Sequence, residues 1–258
     1  MKGEWDTEEA IRRWDMHAAE VASRYGSQGD RHREVLLNPV LLELLGSVQG
    51  RRILDAGCGE GYLSRILAER GASVVAVDYS RHMLDIARER TPAGLAIDYV
   101  YGNCEDLGFL KGGSFDVVVA NMVLQDLSDY EAVIREMHRV LVPGGAFIFT
   151  IAHPCFTAPE CGWVRDDEGE KLHWKVDRYF EEVVSEQDYP RGAKDRLLHF
   201  HRTLTSYFRA VREAGFAVEA LVEPRPSEEM LSRYPEFRDD LRMCHFLAFK
   251  ARKRRVTG

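Results

Sequence analysis

The stretch Ile53-Leu54-Asp55-Ala56-Gly57-Cys58-Gly59-Glu60-Gly61 places one carboxylate ahead of three glycines at alternate positions. Ile53 and Leu54 read as the end of a buried strand, and Tyr62 to Arg70 as a helix, so the segment is a strand-to-helix turn. Glycines there let the backbone turn sharply and lie against a ligand where a side chain would collide. A second carboxylate, Asp78, ends the strand-like run Val74-Val75-Ala76-Val77, 21 residues beyond Gly57. A carboxylate at that spacing can accept hydrogen bonds from both ribose hydroxyls of an adenosine ligand. The dinucleotide fingerprint wants its third glycine three residues after the second, where this chain has Tyr62. An acid ahead of the glycines would also repel a pyrophosphate but suits an ammonium group. Both departures point away from NAD.

With the segments that follow it, this turn resembles the class I S-adenosylmethionine-dependent methyltransferases. Asp55-Ala56-Gly57-Cys58-Gly59-Glu60-Gly61 is similar to their cofactor loop, and Val77-Asp78-Tyr79-Ser80 to their ribose site. Gly102-Asn103-Cys104-Glu105-Asp106-Leu107 looks like the segment that flanks the adenine, with Asn103 where many members carry Asp. Phe115 to Asn121 looks like the fourth-strand motif, and Leu141-Val142-Pro143-Gly144-Gly145 like the turn before the fifth strand. The motifs run in the family's order over about residues 50 to 152. The resemblance implies S-adenosylmethionine as cofactor, with Gly57, Gly59 and Asp78 as its firmest contacts and Asp55 and Gly61 close behind. It further implies contacts from Cys58 and Tyr79, from Asn103, Cys104 and Glu105 beside the adenine, and from the Asn121 backbone near the methionine end. Tyr25 lies in a loop that could fold over the cofactor.

The elements that would position these residues follow from periodicity. Residues 51 to 152 alternate strand and helix, with strands at about 52–57, 73–78, 97–101, 115–121 and 145–152 and helices at about 61–70, 80–90 and 128–140. Such runs predict a Rossmann-like, doubly wound α/β sheet covered on both faces, with ligands beyond the carboxyl ends of its strands. Ahead of it, Thr7 can cap a helix through Ile11, Trp14, Ala18 and Val21, whose spacing reads as a packing stripe. A second helix runs through Val35 to Leu45 and begins or kinks at Pro39. Behind the sheet core, Thr205 to Gly215 reads as a helix, and strands near 217–223 and 244–251 would complete seven strands with the antiparallel edge that the family adds. The expected plan is one domain over residues 1–258: a helical cap (1–48), a cofactor core (50–152), a substrate-side insertion (154–200) and a C-terminal helix with strands (201–251).

Methyl transfer from a sulfonium is an in-line displacement, so the protein's task is mostly positioning and exclusion of water. A phenol or hydroxyl acceptor gains from proton removal, whereas an amine needs only to be neutral. His153 directly follows the fifth strand at the sheet mouth and is the first candidate base. His201, which alternates with His199 in an apparent strand, is the second. Gln125 and Asp126 follow the fourth strand and could reach the methyl region. His153, Cys155, Cys161 and His173 match no tight structural zinc spacing, and no metal is expected.

The insertion is polar but holds Trp163, Trp174, Tyr179, Phe180 and Tyr189. Between residues 160 and 195 it carries eleven acidic against six basic side chains, which is most of the chain's net charge of −7. An acidic, aromatic lid would favour a small neutral or cationic aromatic or amine acceptor. The net charge argues against a nucleic-acid partner. No apolar run is long enough to span a bilayer, and Met1 to Asp15 is too polar for a signal peptide. Five cysteines without close pairs fit a reduced, cytoplasmic protein, and the oligomeric state stays open. The expectation is methyl transfer to N or O of a small molecule. Carbon methylation of a quinone-like ring and non-catalytic cofactor binding are the alternatives.

Overall fold

The computed structural model describes residues 5–187 and 195–255. Its chain opens with two short helices, α1 (Thr7–Met16) and α2 (Ala18–Ser23), where periodicity predicts one. Asp6, not Thr7, caps α1, accepting the Glu9 N–H, because Thr7 is buried and its hydroxyl is used elsewhere. A π-helical turn, Arg33–Leu37, leads into α3 (Asn38–Leu45), and Pro39 sits in the first turn, where its missing N–H costs nothing.

The core then alternates β1 (Arg52–Ala56), α4 (Tyr62–Glu69), β2 (Ser73–Asp78), α5 (Arg81–Arg90), β3 (Ile97–Tyr101), β4 (Phe115–Asn121), α6 (Tyr130–Val140) and β5 (Leu141–Ala152). β5 starts four residues ahead of expectation, since Leu141 pairs with Phe115 before an irregularity in the register with β4. The insertion forms two hairpins, β6 (Glu160–Arg165) with β7 (Lys171–Asp177), and β8 (Val184–Glu186) with β9 (Leu198–Phe200). Tyr189 and the charges at Asp188, Arg191 and Lys194 lie outside the described residues. After them come α7 (Leu204–Glu213), β10 (Phe216–Val222), α8 (Glu228–Arg233), a 3-10 segment Pro235–Leu241 and β11 (Phe246–Lys253). Residues 228–241 carry helical turns that the sequence reading did not place.

Seven strands form one sheet in the order β10-β11-β5-β4-β1-β2-β3. β1 to β5 run parallel, and β11 and β10 are antiparallel, so the expected edge is present. Side chains alternate across the sheet: Leu54, Val118, Phe147 and Phe149 join one apolar cluster, while Ile53, Val117, Val119 and Ile148 join the other. Both faces are therefore dry, which is why the strands read as continuous apolar runs. β1 lies between β2 and β4, so the chain leaves it in opposite directions, and a crevice opens at the carboxyl ends on either side of that switch point.

Candidate functional site

The glycine turn at the end of β1 is held by backbone geometry. Gly57, Gly59 and Gly61 all have positive φ (74°, 53° and 80°), the left-handed region that other residues resist. Gly57 and Cys58 both donate to the Val77 carbonyl, at 2.8 and 3.0 Å, which ties the turn to the end of β2. The three glycines serve different ends. A Cβ on Gly57 would stand 2.5 Å from Val123, and one on Gly61 2.4 Å from the Tyr99 hydroxyl. Gly59 has nothing within 4 Å on that side, so its missing side chain leaves room for a ligand.

Asp78 completes the turn. Its Oδ2 accepts the Gly59 N–H at 2.7 Å and its Oδ1 the Ser80 N–H at 2.8 Å, with acceptor capacity left over for hydroxyl donors. Burial raises this carboxyl, and the Ser80, Gly59 and Tyr79 N–H groups offset only part of the rise. Asp55 accepts the Ser64 hydroxyl at 2.6 Å, and burial pushes it up to about 7. Glu60 is buried as well; Oε2 pairs with Arg65 and Arg90 at 2.8 and 2.9 Å, while Oε1 has no partner.

These groups line one cavity. Tyr25, Asp55, Gly57, Cys58, Gly59, Asp78, Tyr79, Asn103, Cys104 and Asn121, all expected at the cofactor, are in its wall. Burial raises both thiols, so Cys58 and Cys104 are neutral lining rather than nucleophiles. The Asn121 side chain is anchored at both ends: Nδ2 donates to the Tyr62 hydroxyl at 2.6 Å, and Oδ1 accepts from Thr150 at 2.6 Å. Met122 follows with φ 63°, a costly conformation for a non-glycine residue, at the mouth of β4.

Two expected contacts fall outside the wall. Gly61 packs α4 against Tyr99 and does not reach the cavity. Glu105 points away: Oε1 accepts from the Thr7 hydroxyl at 2.5 Å and from Asp129 N–H at 2.9 Å, while Oε2 accepts from Asn103 at 3.1 Å. It is a clasp that fastens the start of α1 to the sheet.

The two candidate bases are elsewhere too. His153 accepts the Cys155 N–H on Nδ1 at 3.2 Å, which leaves the proton on Nε2, 3.2 Å from Glu223. Burial lowers its basicity. His201 donates Nε2–H to the Tyr179 carbonyl at 2.8 Å and is buried against the insertion. Neither imidazole is in the cavity wall, which corrects the expectation drawn from sheet-mouth position alone.

The cavity is roofed from the N-terminus. Ile11, Trp14, Val21, Tyr25 and Arg33 all line it, so the stripe packs as expected, with Ala18 and Val21 against Met83, and also presents part of its surface to the cavity. Arg33 bonds Asp30 at 2.5 Å and lies 4.8 Å over the Tyr25 ring; burial works against its charge, but Tyr25, Asp30 and Tyr62 outweigh that and raise its pKa. No lining residue comes from 154–200 among the described residues. The insertion braces α1 instead, through Arg13 to Glu186 at 2.6 Å and to the Arg196 carbonyl at 2.7 Å. Among its acidic side chains Glu160 pairs locally with Lys175 and Arg178, Glu186 pairs with Arg13, and none of those described lines the cavity. Sequence reasoning also missed Tyr62 and Arg33 as lining residues; the only signal was their nearness to Tyr25 and to the glycine turn.

The wall thus carries four carboxyls (Asp55, Glu60, Asp78, Asp126) and one guanidinium, among aromatic and apolar surface. An adenosine ligand with an ammonium and a sulfonium fits that balance, the open side of Gly59 and the orphaned Glu60 oxygen. Among the described residues no group of three or more His, Cys, Asp or Glu could hold a metal ion.

Residues 54–149 match the family model of a methyltransferase domain. The whole fold is similar to the crystal structure of an S-adenosylmethionine-dependent methyltransferase from Mesorhizobium loti: 34% identity, TM-score 0.75, over 88% of this chain and 100% of that one. A malonyl-[acyl-carrier protein] O-methyltransferase from Serratia marcescens is 40% identical over 110 residues, 43% of this chain and 42% of its own. A ubiquinone biosynthesis O-methyltransferase from Bordetella avium is 36% identical over 119 residues, 44% of this chain and 49% of its own. The chain therefore spans under half the length of these two relatives.

Proposed function

The chain belongs to the S-adenosylmethionine-dependent methyltransferases, and from that premise we propose that it methylates an oxygen of a small-molecule acceptor held between the glycine turn and the N-terminal helices. S-adenosylmethionine is the cofactor, and when bound it supplies a methyl group already activated on a sulfonium. Asp78 and the open side of Gly59 would hold its adenosyl part, and the Asp55–Glu60 end its ammonium. Trp14, Tyr25 and Tyr62 exclude water from the cavity, where the transfer gains most from orientation.

The observation that carries the reading is the cavity itself, whose cofactor wall is matched by a second, apolar and aromatic wall from α1 and the loop after α2. Relatives named as O-methyltransferases support oxygen over nitrogen or carbon. We read residues 50–152 as the cofactor core, 1–48 as its roof and the remainder as bracing within one domain. Five free cysteines support a reducing, cytoplasmic setting. Among the described residues no helix is long and apolar enough to cross a membrane. Incubation with methyl-labelled S-adenosylmethionine and matched hydroxyl, amine and ring-carbon acceptors tests the reading. Label on oxygen is expected; label confined to nitrogen or carbon would reject it.

A further inference from the structure

Asp126 stands out within the cavity wall. It closes the 3-10 turn Leu124–Asp126 directly after β4, is only 7% exposed, and its Oδ1 has no hydrogen-bond partner. A buried carboxyl oxygen without a partner is costly, so its presence in the same wall as Trp14, Tyr25 and Tyr62 calls for a ligand. The turn that carries it is pinned from a distant segment. Arg202, itself 6% exposed, donates to the carbonyls of Leu124 at 2.9 Å, Leu127 at 2.5 Å and Ser128 at 3.0 Å, and lies 4.2 Å over the Tyr130 ring.

We propose that Asp126 is the acceptor-recognition carboxyl, taking the hydrogen of a phenolic hydroxyl whose oxygen receives the methyl group, and that Arg202 is the positioning residue for its turn. The proposal rests on the oxygen-acceptor reading and narrows it to a flat aromatic with at least one free hydroxyl. The aromatic walls suit the ring. The charged and titratable groups facing Asp126 are Arg33 from the N-terminal segment, Arg202 after β9 and Tyr207 on α7. Two guanidiniums disfavour a cationic acceptor there, and a carboxylate acceptor would meet a second anion whenever Asp126 is ionised, the state the transfer requires, whereas a neutral hydroxyl meets neither objection. In the transfer, the hydroxyl proton passes to the Asp126 carboxylate as an oxygen lone pair forms the bond to the methyl carbon. The electrons of the carbon–sulfur bond leave with sulfur, and Asp126 returns the proton to water after product departs. Burial drives this carboxyl well above its ordinary range, and Arg33 and Arg202 offset only part of that, so it ionises late and the rate with a phenol rises with pH.

Calorimetry on the full chain saturated with S-adenosylhomocysteine provides the test, with catechol as probe and 1,2-dimethoxybenzene, the same frame without a donor, as control. Catechol should bind at least tenfold more tightly than the control. Asp126→Leu should erase that preference, with Asp126→Asn as the second variant should leucine impair folding. Both should leave S-adenosylhomocysteine affinity within twofold, and both should melt higher than the parent at pH 8. Arg202→Ala should weaken catechol without moving S-adenosylhomocysteine affinity, and Arg202→Lys should recover part of it. Catechol binding indifferent to Asp126, or no catechol binding while S-adenosylhomocysteine binds, overturns the proposal and leaves the cofactor reading intact. Asp126-dependent binding of benzylamine in place of catechol overturns the hydroxyl assignment. Failure of S-adenosylhomocysteine itself to bind overturns the reading of the whole site.

Discussion

The two walls of the cavity are built in opposite ways. The cofactor wall comes mainly from residues 55–79, and its key atoms are backbone groups fixed by glycine conformations and by Asp78, which bonds the Gly59 and Ser80 N–H groups. The acceptor wall gathers side chains from residues 11 to 33 and from Asp126, held in place by Arg202 and Glu105, which lie far away in sequence. One wall is a local motif that any chain of this pattern must form. The other exists only once distant segments have packed, and it keeps a polar oxygen unsatisfied on Asp126. The contrast separates the part of the site that fixes the reagent from the part that chooses the acceptor.

Asp78→Ala should give the largest effect on the cofactor side. It removes two charge-assisted bonds that a ligand would share, each worth about 1.5–3 kcal/mol, and it frees the Gly59 N–H. S-adenosylhomocysteine affinity should fall at least a hundredfold by calorimetry, and a loss under tenfold would break the assignment. Gly57→Ala should be a folding defect rather than a binding defect. Its Cβ meets Val123 at 2.5 Å on a backbone with φ 74°, costing roughly 3 kcal/mol or more by denaturant unfolding. Gly59→Ala sharpens the point: with nothing within 4 Å, it should cost only about 1–2 kcal/mol of stability, from its φ, yet weaken the ligand at least tenfold.

Asp55 adds a pH signature. Its carboxyl is pushed up to about 7 from an ordinary 3.8, so the folded chain holds this proton more tightly than the unfolded chain. Burying its charge therefore costs nothing below about pH 4, costs more as pH rises to about 7, and costs a constant amount above that, on the order of 4 kcal/mol. Asp55→Asn should flatten the fall in melting temperature between pH 4 and 7, and an unchanged slope would contradict the burial argument. The smallest effect should come from Glu105→Gln. The neutral amide weakens the clasp on Thr7 and Asp129, so amide hydrogen exchange should quicken in α1 while the sheet stays protected and global stability drops by about 1 kcal/mol.

The same contrast explains what could be read in advance. Five parallel strands, the antiparallel edge and eleven of the lining residues, Asp126 among them, are legible in the sequence chiefly through short-range pattern: apolar runs, glycine spacing, an acid ending a strand. Gly61 and Glu105 were assigned to the ligand because position in a motif does not say which way a group faces; one packs against Tyr99 and the other holds Thr7. Closeness to the sheet mouth singles out His153 and His201, but Cys155 and Glu223 hold both ring nitrogens of His153, and the Tyr179 carbonyl holds Nε2 of His201, whose Nδ1 is buried without a partner outside the cavity wall. Ile11, Trp14 and Val21 carry the same helical spacing whether they face a core or a cavity. Arg202 had no local signal at all, since its three acceptors lie more than seventy residues away.

A crystal structure of the protein with S-adenosylhomocysteine tests the division of the cavity most directly. The account predicts the ribose hydroxyls on Asp78, the adenosyl part over the open side of Gly59, the amino-acid end toward Asp55 and Asn121, and free space left beside Asp126 and Tyr25. A ligand seated against Asp126 with Asp78 untouched, or bound outside this cavity, would contradict it.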